Sequence, residues 1–120
     1  KKINDTFGHL NGDSILIEVA RTLNQIVRPH KSLLGRYGGE EFILCLEAES
    51  KEKLMNIVSE IRSGIESTPF YADGKKLSVT VSIGVSVLKN RNLLYQAIEK
   101  ADNSLYASKQ NGRNQISYAI

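Results

Sequence analysis

The sequence predicts one α/β domain in which amphipathic helices flank a mixed β-sheet. Apolar residues recur at helical spacing in three stretches, 16–27, 54–65 and 94–105, whereas residues 77–87 alternate apolar and polar side chains. The first pattern is typical of amphipathic helices, and the second of a strand with one buried face. A chain of 120 residues can form one hydrophobic core but not two.

The composition is that of an ordinary soluble globular domain, with 41% hydrophobic and 24% charged residues. The net charge of +3 suits a small anionic ligand, but the basic residues are not clustered as on a nucleic-acid-binding surface. No apolar run in the sequence approaches the roughly 20 residues that a membrane span needs. We therefore expect this domain to contact neither nucleic acid nor a membrane.

The single cysteine, Cys45, lies inside an apolar segment and is predicted to be a small buried hydrophobic residue. A disulfide framework is excluded within the chain, because one thiol has no partner. Disulfide-free proteins are typical of reducing compartments, so we expect a cytoplasmic location.

The first part of the chain predicts a short helix followed by a long one. Ile3 and Phe7 are one helical turn apart, and Asp13 is predicted to cap the next helix, which stops before Pro29. The apolar stripe of that helix is Leu16, Val19, Ala20, Leu23 and Val27.

The later part alternates helices and strands. Ser50 begins a helix, Asp73-Gly74 predicts a turn, and Gly112 fits the C-terminal cap of the last helix. The strand between these helices has an apolar face made of Val79, Val81, Ile83, Val85 and Val87. Its other face is small and polar and contains Gly84, so that a helix or a ligand can approach closely.

The stretch R-Y-G-G-E-E-F at 36–42 joins two apolar segments and predicts a β-hairpin, because glycine reaches positive φ without a Cβ clash. Glu40 and Glu41 place two carboxylates at the rim of the sheet. Like charges side by side repel, so a cation beside them explains the pair. The alternative is a solvated turn whose charges serve only solubility.

Four stretches resemble the GGDEF family of diguanylate cyclases in its GGEEF spelling: K-K-I-N-D-T-F-G-H-L-N-G-D at 1–13, R-Y-G-G-E-E-F at 36–42, V-T-V-S-I-G-V-S at 79–86 and A-D-N-S-L-Y-A-S-K-Q-N-G-R-N at 101–114. The resemblance implies that residues 1–120 form one GGDEF domain of nucleotidyl-cyclase-like fold, a ferredoxin-like core with a mixed, mostly antiparallel sheet flanked by helices. It implies an enzyme that condenses two GTP into cyclic di-GMP and releases two pyrophosphates.

By this resemblance Glu40 binds metal and helps to deprotonate the attacking 3′-hydroxyl, and Glu41 is a neighbouring metal ligand. The metal is expected to be Mg²⁺ or Mn²⁺, since hard divalent ions combine one or two carboxylates with phosphate oxygens. Gly38 and Gly39 suit a close approach of the backbone to phosphates.

Asn4 and Asp13 match the residues that read guanine in the family. A carboxylate accepts the adjacent N1–H and N2–H donors of guanine and repels the N1 lone pair of adenine. The alternatives are a polar residue on a short helix for Asn4 and a plain N-cap for Asp13. His9 is either a substrate contact or a residue that satisfies the turn.

Lys109 and Arg113 resemble residues that grip the triphosphate, although cations at a helix C-terminus are also favourable by themselves. Lys1 resembles a lysine beside the reacting phosphates and is a candidate for transition-state stabilisation.

The sequence departs from the family pattern in two places. The D-x-D-x-F strand that normally precedes Lys1 is absent, so the chain is expected to be an N-terminally truncated part of a longer one, whose metal site lacks a carboxylate. The R-x-x-D motif of the inhibitory product site is replaced, with Pro29 and Ser32 at its ends. Proline cannot form the guanidinium fork, so we expect no feedback inhibition there.

The leading hypothesis is a metal-dependent diguanylate cyclase that acts as a symmetric homodimer under the control of an upstream regulatory or sensor domain. The full-length protein is compatible with membrane anchoring through other segments. The alternative is a non-catalytic GTP-binding or partner-docking GGDEF module.

Overall fold

The computed structural model describes residues 2–4, 9–38, 40–72 and 74–120. These residues form seven strands and three helices: β1 Lys2–Asn4, α1 His9–Val27, β2 Ser32–Gly38, β3 Glu41–Leu46, α2 Lys51–Ser67, β4 Phe70–Ala72, β5 Lys75–Leu77, β6 Thr80–Ser86, α3 Leu94–Gln110 and β7 Ile116–Ala119. A 3-10 turn at Arg91–Leu93 leads into α3. None of the helices in the described part of the chain is long and apolar enough to cross a membrane.

The central sheet has five strands in the order β2-β3-β1-β6-β7. β1 lies at its centre and pairs antiparallel with both β3 and β6. β6 and β7 are parallel and are connected through α3. The predicted fold class, a mixed and mostly antiparallel sheet flanked by helices, is confirmed. Of the turn predicted at Asp73-Gly74, Asp73 lies outside the described residues; Gly74, at φ +75°, precedes β5, which pairs with β4 in a separate hairpin.

The start of the chain is a strand, and the helix predicted from the spacing of Ile3 and Phe7 is wrong for the residues that the structure describes. Lys2, Ile3 and Asn4 pair with residues 82, 81 and 80 of β6. An isolated helical turn is unfavourable because nucleation fixes many dihedrals for one hydrogen bond. Strands on both sides satisfy the same backbone groups at once, so pairing prevails.

The long helices follow the sequence prediction except at one end. α1 begins at His9, so Asp13 lies inside the helix and is not its N-cap. The helix ends at Val27, before Pro29, as predicted. Ser50 caps α2, since its Oγ accepts a hydrogen bond from the Lys53 backbone N–H at 3.1 Å. Gly112 follows α3 with φ +110°, as expected for a C-terminal cap.

The hydrophobic core lies between α1, α2 and one face of the sheet. Its buried residues are Ile15, Leu16, Val19, Leu23, Val27, Phe42, Ile57, Val58, Ile61, Ile65, Phe70, Val79, Val81, Ile83 and Val85. The predicted stripes of α1 and α2 face this core, and so does the predicted face of β6 from Val79 to Val85, whereas Val87 lies beyond the end of the strand.

Cys45 is exposed, and the prediction that it is buried is wrong. It pairs with Leu33 of β2, whose side chain is 73% exposed. Residues directly opposite each other share a face of the sheet. α3 covers β6 and β7, which lie at the opposite edge of the sheet from β2. The apolar run through β3 predicted burial on both faces, but one face at this edge is open.

The small polar face of β6 is where α3 packs. A Cβ at Gly84 would lie 2.0 Å from the carbonyl oxygen of Ala101 and 2.3 Å from the backbone nitrogen of Leu105. On either side of it, Ser86 Oγ donates to the Ala97 carbonyl at 2.5 Å, and Ser108 Oγ donates to the Ile83 carbonyl at 3.0 Å. The predicted close approach at Gly84 is made by a helix.

We expect Gly84→Ala to destabilise the domain by about 1–3 kcal/mol or more, because the new methyl group would force α3 away from β6. The matched control is Gly35→Ala in β2, where no atom lies within 4 Å of the added Cβ. Urea denaturation followed by circular dichroism measures both free energies of unfolding. Equal stability of the two variants would contradict the packing described here.

Candidate functional site

The hairpin that carries the two glutamates contains a β-bulge. β2 and β3 pair from Ser32↔Leu46 to Gly38↔Glu41, but the register shifts between Arg36 and Gly38. One residue of β2 is therefore left over, next to the turn. Bulges bend a strand and redirect its side chains, and they are common beside functional sites. The predicted hairpin is confirmed, with this irregularity added at its tip.

Glu40 is a turn residue and Glu41 is the first residue of β3, and both side chains are half-buried. Gly38 ends β2, whereas Gly39 lies outside the described residues. Two adjacent carboxylates at a hairpin tip offer hard oxygen ligands to a cation that approaches from solvent.

Glu40 and Glu41, at the hairpin tip, suit a divalent ion that a ligand helps to coordinate. In the described ranges no group of three or more His, Cys, Asp and Glu side chains is placed to hold a metal by itself. Mg²⁺ commonly takes one or two carboxylates and fills its remaining positions with phosphate oxygens and water. Glu40 and Glu41 therefore suit an ion that arrives with a phosphate compound.

A row across the sheet connects this corner to β6. Lys2 of β1 pairs with Glu41 on one side and with Ser82 on the other. Neighbouring strands lie about 4.8 Å apart, so Glu41 and Ser82 are separated by roughly 10 Å across the sheet. Asn4 pairs with Thr80, further along β1 toward the hairpin tip. The tip and the end of β1 thus lie at one end of the sheet.

The turn after α3 lies at the same end. The backbone N–H of Asn114 donates to Ser82 Oγ at 3.2 Å, and Ile83 N–H donates to the Gln115 carbonyl at 3.0 Å. Lys109, in the last turn of α3, is half-buried, and Arg113 is exposed. The row Glu41–Lys2–Ser82 therefore joins the acidic hairpin tip to the end of α3 and the turn after it, which carry Lys109 and Arg113, the two predicted phosphate-binding cations.

The remaining predicted residues are placed only by their backbone. His9 is the first residue of α1, and Asp13 lies one turn further. Four residues separate Asn4 from His9, so the Cα atoms of these two residues are at most about 17 Å apart. Lys1 lies outside the described residues. The start of α1 is thus tethered within reach of the hairpin tip.

An open groove of about 1360 Å³ borders this site, and Glu41 is among its lining residues. Most of its wall is formed by β3, α2, β6 and α3, and is apolar. Glu40 and the turn after α3 do not line it. The groove therefore borders the candidate site and is distinct from it.

Three polar residues at this end were not predicted from the sequence. Arg62 and Glu66 of α2 hydrogen bond to the side chain of Asn114. Arg62 and Glu66 are four residues apart on α2 and also form an ion pair with each other at 3.2 Å. No pattern in the sequence linked them to a turn some 50 residues away, because that contact depends on how α2 lies across the sheet.

Comparison with known proteins gives a family match over nearly the whole chain. The family model described as "Diguanylate cyclase, GGDEF domain" matches residues 1–115. Diguanylate cyclase A of Treponema denticola is 44% identical over 117 residues, which are 97% of this chain and 31% of that protein. The chain thus spans about a third of the length of this curated relative.

Solved structures agree in fold. The GGDEF domain of DgcB from Caulobacter crescentus, in complex with c-di-GMP, has a TM-score of 0.83 and 30% identity, over 98% of this chain and 74% of that one. The active GGEEF domain of a diguanylate cyclase from Vibrio cholerae has a TM-score of 0.80 and 28% identity, over 99% of this chain and 79% of that one. With its signature hairpin at the tip of such a sheet, the chain belongs to the GGDEF domain family of diguanylate cyclases.

Proposed function

We propose that this domain joins two GTP molecules into cyclic di-GMP and releases two pyrophosphates. The observation that carries the proposal is the row Glu41–Lys2–Ser82, which sets the acidic hairpin tip and the basic turn after α3 at one end of the sheet. A carboxylate corner for a divalent ion and a cationic turn for phosphates are the two parts that a nucleoside triphosphate needs.

The reaction is a nucleotidyl transfer that takes place twice. The 3′-oxygen of each GTP attacks the α-phosphorus of the other, a new P–O bond forms, and the bond to the β-phosphate breaks so that pyrophosphate leaves. The proton of each 3′-hydroxyl must be accepted by a base. Negative charge grows on the leaving pyrophosphate, so catalysis requires nearby positive charge.

Glu40 and Glu41 would hold the divalent ions, with Glu40 also placed to accept the 3′-hydroxyl proton. Cyclases of this family depend in general on a divalent metal ion, and Mg²⁺ or Mn²⁺ fits a pair of carboxylates with phosphate oxygens. A divalent ion held there would supply positive charge to offset that on the phosphates. Gly38 and Gly39 leave room for the phosphates against the backbone.

The cationic side consists of Lys109 and Arg113 on the β- and γ-phosphates, with Lys1 beside the reacting phosphate. The guanine side consists of Asn4 and Asp13, with His9 as a further substrate contact. The exposure of Arg113 and the proximity of Asn4 to the hairpin tip support this arrangement.

Two GTP molecules must face each other, so catalysis calls for a two-fold symmetric homodimer, at least during turnover. An upstream regulatory domain in the full-length protein would control how often the halves meet. A cytoplasmic location follows from the substrate, since GTP is an intracellular nucleotide.

The decisive experiment is Glu40→Gln in the full-length protein, incubated with GTP and Mg²⁺, with cyclic di-GMP measured by chromatography. Loss of the base and of a metal ligand should lower the rate by roughly 10²–10⁴-fold or more. The control is Glu47→Gln, an exposed acid just beyond the other end of β3 that lies 3.9 Å from Lys31. It should retain full activity.

Product formation by Glu40→Gln at the rate of the unmodified protein would contradict the proposed role of Glu40 as base and metal ligand. GTP binding by the unmodified protein without any product would instead favour the alternative of a non-catalytic GTP-binding or partner-docking module.

The preference for guanine over other bases tests whether Asp13 contacts the base of GTP. We expect Asp13→Asn to weaken GTP binding by roughly 10–100-fold, because hydrogen bonds to a charged group contribute about 1.5–3 kcal/mol. Inosine triphosphate lacks the N2 amino group, so the preference of the unmodified protein for GTP over ITP should shrink in the variant. Glu18→Gln, an exposed acid on the same helix, is the control. An unchanged GTP/ITP ratio of dissociation constants in Asp13→Asn would contradict a base contact.

Product inhibition should be weak or absent at the turn between α1 and β2. Pro29 and Ser32 stand where an Arg and an Asp would grip the product, and neither supplies a charged fork. Cyclic di-GMP added during turnover should lower the rate no more in the unmodified protein than in Arg28→Ala. Tight inhibition that Arg28→Ala abolishes would show that the exposed Arg28 replaces the missing motif.

A further inference from the structure

The turn Asn111–Gln115 after α3, called here the cationic turn, has an unusual backbone. Arg113 and Asn114 adopt positive φ angles of 65° and 48°, directly after Gly112 at 110°. A non-glycine residue in this region is strained by roughly 1–3 kcal/mol and persists only where its surroundings impose it. Two such residues in succession require contacts that hold them.

Contacts from α3 and β6 hold the backbone of the turn. The Arg113 N–H donates to the Ser108 carbonyl of α3 at 2.9 Å, and the Asn114 N–H donates to Ser82 Oγ of β6 at 3.2 Å. Within the turn, Gln115 Nε2 donates to the Asn111 carbonyl at 2.7 Å. Bonds of this kind close the turn, and on their own they leave the side chain of Asn114 unengaged.

A clasp on α2, formed by Arg62 and Glu66, holds the side chain of Asn114. Arg62 Nη1 donates to Asn114 Oδ1 at 2.9 Å and to Glu66 Oε1 at 3.2 Å. Asn114 Nδ2 donates to Glu66 Oε2 at 2.5 Å. The carboxamide thus donates to the acid and accepts from the base, and each of the three side chains contacts the other two.

One bond of the clasp is partly buried. The Arg62 side chain is only 27% exposed, whereas that of Glu66 is 45% exposed. The bond from Arg62 to Asn114 is therefore better shielded from water than an open surface pair, and hydrogen bonds to charged groups are the stronger ones. A residue's backbone conformation fixes the direction of its Cα–Cβ bond. A change of φ at Arg113 or Asn114 toward negative values would therefore redirect the guanidinium of Arg113.

We propose that Arg62 and Glu66 are positioning residues that lock the cationic turn through Asn114 and so aim Arg113 at the triphosphate. The inference rests on the proposed function, because it takes Arg113 to be a phosphate contact. Neither Arg62 nor Glu66 touches the nucleotide; each acts through the backbone of the turn.

The test is a double-mutant cycle on nucleotide affinity, measured by calorimetry on the full-length protein. The probes are 3′-deoxy-GTP, which has no attacking hydroxyl and is not turned over, and 3′-deoxy-GMP, which lacks the β- and γ-phosphates. Arg62→Ala and Arg113→Ala should each weaken 3′-deoxy-GTP binding by about tenfold or more, the loss of one charge-assisted hydrogen bond. Binding of 3′-deoxy-GMP should change by less than about twofold, because the base and α-phosphate contacts remain.

The double variant should bind 3′-deoxy-GTP no more weakly than Arg113→Ala alone, since residues that act through one contact are not additive. Asn114→Asp is a second variant of nearly the same shape, which removes the amide donor and places a second carboxylate beside Glu66. It should reproduce the effect of Arg62→Ala. The control is Arg21→Ala, which breaks an exposed Arg21–Glu18 pair on α1 and should leave both affinities unchanged.

Four outcomes would overturn the proposal. Additive losses in the double variant, or an equal loss for both nucleotides, would mean that the clasp supports the fold as a whole. A normal preference for the triphosphate in Arg62→Ala would remove the positioning role while leaving the proposed function intact. If the unmodified protein bound 3′-deoxy-GTP no better than 3′-deoxy-GMP, the triphosphate site itself would be wrong and the positioning role would fall with it.

Discussion

The arrangement of the site depends on β1, three residues that pair on both sides. Lys2 links Glu41 of β3 to Ser82 of β6, and Ser82 accepts a hydrogen bond from the turn after α3. Backbone pairing fixes strand spacing and register far more tightly than side-chain contacts do, because each displaced residue costs buried hydrogen bonds. The distance between the acidic and basic parts is thereby built into the sheet.

A second constraint fixes the position of Lys109 and of the turn after α3 relative to the sheet. α3 lies so close to β6 that Gly84 has no space for a Cβ, and the hydroxyls of Ser86 and Ser108 bond across the interface. The helix can neither roll nor slide without breaking these contacts. Its C-terminus, with Lys109 and the turn that follows, is held at the end of the sheet where the hairpin tip lies. The small polar face of β6 is thus the packing surface for α3, the helix that carries Lys109 and leads to Arg113.

Much of the fold follows from periodicity and punctuation in the sequence. The stripes of α1 and α2, the cap at Ser50, the turn at Asp73-Gly74 and the cap at Gly112 are properties of neighbouring residues, and neighbours are visible in one dimension. The strand at Lys2–Asn4 and the exposure of Cys45 could not be predicted in this way, because each depends on which element lies alongside.

The same division applies to the candidate site. Glu40 and Glu41 became candidates because four stretches of the sequence together resemble one family, whereas the pair by itself also fits a solvated turn. The clasp of Arg62 and Glu66 on Asn114 was not, since α2 reaches that turn only after the sheet has formed. The positive φ angle at Arg113 had no marker either, because arginine, unlike glycine or asparagine, rarely adopts that region.

The row across the sheet also has a kinetic meaning. It unites positions 2, 41, 82 and 114, which are far apart along the chain, so every link closes a long loop. Long-range pairings of this kind form slowly, because the entropy of loop closure must be spent before the contacts repay it. The candidate site should consequently be among the last features to form during refolding, later than the helices that circular dichroism detects.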